Sequence, residues 1–499
     1  MSKLRKQSIV SSIVIYICFF IGFINTYLFA REGRFTEAQY GLTGIFIAIA
    51  MMMMAIANMG TTSYIYKFYP YYKDNLEPRK NDMLSWALLT SMVGFGLVII
   101  FGIVFKQLVI KKFGANSPDL ITYYNWIFPL GFGLTIFSVL EAYAWQLKKS
   151  VLSNFLKETM WRLFTTVLIV LFLTGIIGSF DLFIKLFAFT YPGIALLLLI
   201  YLLYTRQLHF NFTLSRVTKK FKNKILTLCA FVYSGTIVYT LSFIFDTLII
   251  ASKLENAMMM VGVYTLAQNF ATLVQAPQRG IISAAISHLS QAWKDKNMEL
   301  IQKIYQRSSI NQLIFAAGLF LLITLNFTDA VITFKLKDTF LQAFTVFLLL
   351  GATRIVDMGT GVNSQIIGTS IHWRFELLCG IILLLLMLPL NYLLTVKYGI
   401  VGPGIANLIS ITIYNIIRIY FLWKKYKLFP FTIQSFYTIL LAGISFTTCF
   451  FIFKNMNGLI GMTLRSIAFI LIYSTGVYYL NLSPDVKPVL LTIRKRIGF

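Results

Sequence analysis

The heptapeptide INTYLFA (residues 24–30) has a counterpart in FDTLIIA (residues 245–251), which lies 221 positions further along the chain. At nearly the same offset three more pairs recur, namely Gly41 with Gly262, Gly60 with Gly280, and Gln146 with Gln365. The offset spans six apolar segments, an even number, so both copies enter the membrane in the same direction. The repeat predicts two six-helix lobes related by an axis along the membrane normal. A chance alignment of apolar runs is the alternative.

The composition around this repeat is that of a polytopic, all-α membrane protein. Of the 499 residues 58% are hydrophobic and 12% are charged, whereas soluble domains are about 25% charged. Lysine and arginine outnumber aspartate and glutamate by 44 to 18. Because cytoplasmic loops of membrane proteins are enriched in basic residues, this excess gives no reason to predict nucleic-acid binding.

Apolar runs reach the roughly 20 residues that cross about 30 Å of hydrocarbon at about fourteen places. The predicted spans are residues 8–30, 40–66, 83–105, 122–145, 158–178, 181–205, 225–251, 261–289, 309–333, 339–369, 375–396, 399–423, 432–453 and 458–480. The fifth and sixth spans meet in a tight hairpin near Ser179. The first is too long for a signal-peptide core, so it is predicted to be a span.

Basic loops set the predicted orientation and domains. The strongest is RQLHFNFTLSRVTKKFKNK (residues 206–224), which falls between the sixth and seventh spans and places both termini in the cytoplasm. The predicted domains are an N-terminal lobe at 1–224, a C-terminal lobe at 225–428, and spans 13 and 14 with a basic tail at 429–499. The connections are too short to form a soluble domain.

The sequence contains no recognisable metal site or catalytic motif. Its four cysteines occupy separate predicted spans, and its three histidines lack metal-ligand spacing. The methionine tracts at residues 51–54 and 258–260 are typical of apolar packing. We therefore expect neither an enzyme nor a bound metal or cofactor.

The tenth predicted span, which contains LLLGATRIVDMGTGVNSQIIGTS (residues 348–370), includes two charges. On a continuous helix one face would combine Gly351, Arg354, Asp357, Gly361, Ser364, Gln365 and Gly368. A central arginine costs about 2.5 to 3.5 kcal/mol in a bilayer, so this face is expected to line a cavity. The alternative is a buried Arg354–Asp357 pair at i,i+3 that only joins helices.

Polar residues mark other spans as well. The eighth span has a stripe that contains Gln268, Thr272, Gln275, Arg279 and Ser283, with a bend predicted at Pro277. Asp246 in the seventh span is expected to face a cavity, and Glu141 is a further acid, in the fourth span. Arg418 is close to Lys424 and is expected to snorkel towards the cytoplasmic surface.

Three stretches, at residues 261–309, 360–370 and 396–410 (VKYGIVGPGIANLIS), resemble polysaccharide flippases of the multidrug/oligosaccharidyl-lipid/polysaccharide exporter superfamily. The fourteen-span count and the doubled six-helix plan agree with that family along the chain. The resemblance implies a V-shaped transporter of the bacterial inner membrane. Its implied activity is to flip a polyprenyl-diphosphate-linked oligosaccharide, such as an O-antigen unit, to the outer leaflet by alternating access.

The resemblance also implies roles for the polar residues. Arg279 and Arg354 would bind the diphosphate, because guanidinium groups form paired hydrogen bonds with phosphate oxygens. The other cavity candidates are Gln275, Gln268, Gln365 and Ser364. Asp246, Asp357 and Glu141 would bind a coupling ion, proton or sodium, or tune the charge of the site. The implied partners are the lipid-linked glycan, membrane lipids and other polysaccharide-assembly membrane proteins.

The repeat departs from this pattern in its first copy. Met59 stands at the position that matches Arg279, and Thr135 and Ser138 stand opposite Arg354 and Asp357. The predicted cationic site is therefore one-sided. Three alternatives stay open: a flippase for the lipid-linked peptidoglycan precursor, a drug or cation exporter of the same superfamily, and a membrane glycosyltransferase or polymerase.

Overall fold

The computed structural model describes residues 20–486, apart from the side chains of Arg279, Gly280, Ser283, Ala284 and Ser287. Its helices pack into two compact units, Met1–Gly262 and Val263–Phe499. The predicted lobe boundary at residue 224 falls within the first unit, near the start of one long helix. The lobes inferred from the repeat stay a prediction, because packing alone defines these units.

The first unit contains twelve α-helices within the described range. They are α1 (Phe20–Ala30), α2 (Glu37–Ala57), α3 (Thr61–Asn75), α4 (Met83–Val104), α5 (Lys106–Phe113), α6 (Pro118–Thr122), α7 (Ile127–Gln146), α8 (Ser150–Asn154), α9 (Trp161–Leu173), α10 (Phe180–Phe187), α11 (Thr190–Tyr204) and α12 (Arg216–Lys253). A π-helical segment, Phe155–Met160, joins α8 to α9. Short 3-10 turns precede α4 and α7 at Pro78–Lys80 and Tyr124–Trp126.

The remaining helices belong mainly to the second unit. They are α13 (Ala257–Gln275), which begins in the first unit, α14 (Gln278–Lys294), α15 (Met298–Thr333), α16 (Ala343–Gly359), α17 (Asn363–Thr369), α18 (Trp373–Tyr398), α19 (Val401–Tyr426), α20 (Ile433–Ile452) and α21 (Gly458–Tyr479). A 3-10 turn, Asp338–Gln342, precedes α16. The longest helices, α12 and α15, continue beyond their apolar segments into basic, polar turns.

Twelve helical segments of the described range are long and apolar enough to cross a membrane. This confirms the prediction of a polytopic all-α protein, whereas the number fourteen and the orientation stay predictions. Residues 8–19 of the first predicted span lie outside the described residues. The predicted separation of the fifth and sixth spans near Ser179 agrees with the end of α9 at Leu173 and the start of α10 at Phe180, and the tight hairpin stays a prediction.

Four predicted spans are interrupted in the structure. The second is broken between α2 and α3, the sixth between α10 and α11, the eighth beside Pro277, and the tenth between α16 and α17. At the last of these breaks Gly361 has a φ of +68°, and a Cβ there would approach Ser308 Oγ to 2.8 Å. The prediction of one continuous face from Arg354 to Gln365 is therefore wrong, since α17 begins in a new register after this left-handed turn.

A close helix crossing in the first unit involves two glycines that the repeat pairs with each other. A Cβ on Gly41 would lie 1.8 Å from Met258 O, and a Cβ on Gly262 would lie 2.4 Å from Glu37 O. Glu37 and Met258 are also 221 positions apart. Each helix thus contacts the other through the equivalent turn, which is the pattern that a two-fold repeat produces. Only glycine fits at either position.

Candidate functional site

The Asp357 carboxylate on α16 is at the centre of a polar network in the second unit. Its two oxygens accept hydrogen bonds from Gln278 Nε2 at 3.1 Å and from Asn415 Nδ2 at 3.3 Å. Gln275 Nε2 in turn donates to Gln278 Oε1 at 2.6 Å. The contacts connect α13, α14, α16 and α19. Since both donors to the carboxylate are neutral amides, they satisfy its oxygens without cancelling its charge.

Asn415 extends this network to α17. Its side-chain oxygen accepts hydrogen bonds from Thr360 Oγ1 at 3.0 Å and from Asn363 Nδ2 at 2.8 Å. Asn415, Thr360 and Asn363 are all buried. The interruption between α16 and α17 is therefore held by side chains that converge on one asparagine of α19.

A second cluster in the same unit is built around Arg418 on α19. Arg418 is 4% exposed, forms an ion pair with Glu376 on α18, and lies over the Tyr414 ring at 3.6 Å. Ser364 Oγ on α17 donates to Glu376 Oε1 at 2.7 Å. The prediction that Arg418 snorkels to the surface is wrong, because the nearby carboxylate stabilises the buried guanidinium.

The acidic partner of Arg418 could have been found from the sequence. Helices α18 and α19 are joined by a short turn at Gly399, and they pack against each other. In an antiparallel pair, residues at similar distances from the turn lie side by side, and Glu376 and Arg418 meet this condition. Arg465 on α21 similarly pairs with Asp329 on α15. Each of these two acids lies near the end of an apolar run.

Arg354 on α16 differs from these paired arginines. It is half-buried, and its buried Nε has no hydrogen-bond partner. Within the described part of the chain Arg354 forms no ion pair, although Asp357 is only three residues away. Arg354 and Asp357 thus do not form the ion pair that the alternative interpretation predicted. The second unit holds a guanidinium whose charge has no protein counterpart among the described residues.

The other predicted cavity residues are distributed more widely. Gln268 on α13 and Gln365 on α17 are half-buried, and the Ser364 hydroxyl donates its hydrogen bond to Glu376. Asp246 is buried within α12 of the first unit. The side chain of Arg279 lies outside the described residues, so its predicted role with Arg354 stays a prediction.

The first unit contains a charged cluster in which acids and bases are matched. Glu141 on α7 forms a 3.0 Å ion pair with Lys157, and Arg162 on α9 forms a 2.9 Å ion pair with Glu158. Lys157 and Glu158 both belong to the π-helical segment. Such segments are rare in proteins overall, and those that occur are often found at functional sites. Charge compensation distinguishes this cluster from Arg354.

Comparisons with known proteins agree with this architecture. The family model described as "Polysaccharide biosynthesis protein" matches residues 4–293. None of the proteins with curated functions matches significantly. A solved structure of the Lipid II flippase MurJ, in an inward closed conformation, is 17% identical with a TM-score of 0.73, and the match covers 95% of this chain and 99% of that one.

Transporters of a second kind have a similar fold. An inward-facing multidrug resistance MATE family transporter of the MOP superfamily is 16% identical with a TM-score of 0.64, over 84% of this chain and 98% of that one. An outward-facing MATE family transporter is 17% identical with a TM-score of 0.53, over 85% and 95%. At such low identity these likenesses show the fold and leave the substrate to be argued.

Proposed function

Because the chain belongs to the polysaccharide biosynthesis protein family, we propose that it flips a polyprenyl-diphosphate-linked oligosaccharide across the bacterial inner membrane. The description of the family supports a role in polysaccharide biosynthesis. The fold is similar to that of proteins described as flippases and multidrug transporters, which supports a role in transport. The protein acts as a transporter and not as an enzyme. Its partners are the lipid-linked glycan, the surrounding lipids and other membrane proteins of polysaccharide assembly.

Arg354 is the observation that carries this proposal. A half-buried guanidinium without a partner among the described residues is suited to binding an anion, and a diphosphate offers several oxygens for paired, charge-assisted hydrogen bonds. Lys157 and Arg162 of the first unit are already paired with Glu141 and Glu158. The diphosphate therefore binds in the second unit, and Arg279 is proposed as a second ligand there.

Deleting the protein tests the proposed function in cells that lack a redundant flippase. The lipid-linked oligosaccharide should accumulate in the cytoplasmic leaflet, because a diphosphate and its sugars cross hydrocarbon only with great difficulty. Accessibility of the glycan to an impermeant enzyme, in right-side-out and inverted vesicles, measures its location. Undiminished delivery to the outer leaflet would refute the proposal.

A flippase for the lipid-linked peptidoglycan precursor is the second candidate. The match to the Lipid II flippase MurJ, which covers 95% of this chain, is the reason to consider it, although similarity of fold alone does not select a substrate. Both substrates share the polyprenyl diphosphate, so Arg354 fits either one. Reconstituted protein given each lipid in turn distinguishes them, and the family description favours the oligosaccharide.

Asp357 is the proposed site of the coupling ion. The described donors to its carboxylate are neutral amides, which supply no counterion, so this site is available for a proton or a sodium ion. Glu141 already has Lys157 as a counterion. Asp246, which is buried in α12 of the first unit, remains a further candidate.

The Asp357→Asn variant should uncouple transport from an imposed gradient. Asparagine keeps an acceptor for Gln278 but is neutral at every pH, so ion binding can no longer change its charge. Flipping in proteoliposomes, measured with and without a proton or sodium gradient, reports the coupling. The matched variant Glu141→Gln should keep the gradient dependence. If Asp357→Asn still responds to the gradient like the original protein, the assignment is wrong.

A further inference from the structure

Two aromatic side chains form a partly exposed stack in the first unit. The rings of Tyr66 on α3 and Trp145 on α7 are 5.8 Å apart and inclined by 29°. Their side chains are 40% and 42% exposed. The Trp145 indole donates to Ser153 Oγ at 3.0 Å, which fixes the orientation of its ring. The stack thus presents a rigid aromatic surface.

Ion pairs begin one helical turn from this stack. Glu141 precedes Trp145 by four residues on α7, and its carboxylate is paired with Lys157 at 3.0 Å. Lys157 is followed on the π-helical segment by Glu158, which is paired with Arg162 at 2.9 Å. The charges of the four groups therefore cancel in pairs. We call Tyr66, Trp145 and these four residues the aromatic–ionic patch.

A lipid-facing position does not explain this patch. Tryptophan and tyrosine are common where a protein meets the membrane interface. The pair that the buried Glu141 forms with Lys157, one turn from Trp145, would be costly against hydrocarbon, however, and charged residues of spans normally face a bundle interior or a water-filled cavity. The π-helical segment supplies Lys157 and Glu158 from adjacent positions. The patch is thus a polar surface with an aromatic floor.

We propose that the aromatic–ionic patch binds the glycan of the lipid-linked substrate, an inference that rests on the proposed flippase function. The C–H groups of a sugar ring pack against aromatic faces, while carboxylate oxygens and ammonium groups bond with its hydroxyls. A neutral glycan needs no net charge from its site, and the paired ions provide none. The diphosphate and the glycan are then bound by different sets of residues.

Binding of two lipids to the purified full-length protein tests this division. The first probe is the polyprenyl diphosphate without sugars, and the second is the same lipid with its oligosaccharide. Trp145→Ala and Tyr66→Ala should each weaken binding of the glycosylated lipid by about two- to tenfold, since an aromatic contact contributes about 0.5 to 1.5 kcal/mol. Binding of the sugar-free lipid should not change.

Two further variants separate binding from folding. Tyr66→Phe keeps the ring and should retain most of the affinity, and Trp423→Ala, which removes an exposed tryptophan of α19, should have no effect. An equal loss for both lipids, or no loss for either, would overturn the glycan site. Failure of the original protein to bind either lipid would instead overturn the proposed function, so the two failures are distinguishable.

Discussion

Replacing Arg354 with alanine should abolish flipping while the protein still accumulates in the membrane. Charge-assisted hydrogen bonds contribute about 1.5 to 3 kcal/mol, so binding of a polyprenyl diphosphate should weaken by about ten- to a hundredfold. Folding should not suffer, because the buried Nε of Arg354 has no partner to lose within the described structure. Binding to protein in lipid nanodiscs and flipping in proteoliposomes measure the two effects.

Arg162→Ala is the matched control for this experiment. Arg162 is also an arginine of a predicted span, but Glu158 neutralises it at 2.9 Å. Its removal should leave binding of the sugar-free diphosphate lipid unchanged. Arg354→Lys should retain part of the affinity, since lysine keeps the charge but lacks the planar fork. Full activity of Arg354→Ala would exclude Arg354 as the phosphate ligand.

Replacing Arg418 with methionine should cost about 3 to 5 kcal/mol in the free energy of unfolding. The substitution removes the counterion of Glu376 and leaves a carboxylate only partly exposed between α17, α18 and α19. Contacts with the Tyr414 ring are lost as well. Denaturant titration in detergent, followed by the ellipticity of the helices, measures the change.

An exposed ion pair provides the comparison for Arg418. Lys185 and Asp181 are paired at 2.6 Å, but their side chains are 35% and 52% exposed. Lys185→Met should therefore change the free energy of unfolding by less than about 1 kcal/mol. Adding Glu376→Gln to the Arg418 variant should restore part of the stability, because it removes the unpaired charge. Equal effects of the two single variants would show that burial of the Arg418 pair is unimportant.

The sequence predicted which segments are helical and apolar, and the structure confirms this. Hydrophobic runs of sufficient length can cross a bilayer only as helices or closed barrels, so composition and run length are enough for the fold class. The glycine pairs of the repeat were also informative. Gly41 and Gly262 are equivalent in the repeat, and in the structure they lie at one helix crossing.

The sequence did not predict how the polar residues are combined. A face drawn on an ideal helix joined Arg354 to Ser364, but Gly361 in a left-handed conformation ends that helix. After this turn Ser364 donates a hydrogen bond to Glu376. Asp357, before the turn, accepts hydrogen bonds from side-chain amides of α14 and α19. Periodicity within one segment contains no information about such partners.

The sequence by itself thus determined a multi-pass helical protein and identified charges that are costly to expose to lipid, while its doubled plan stays a prediction. Only the tertiary structure decided that Arg418 and Glu376 neutralise each other and that Arg354 has no protein counterion in the described range. The physical reason is that the energy of a buried charge depends on the groups within a few ångströms of it. Those groups come from other helices, whose packing no local pattern specifies.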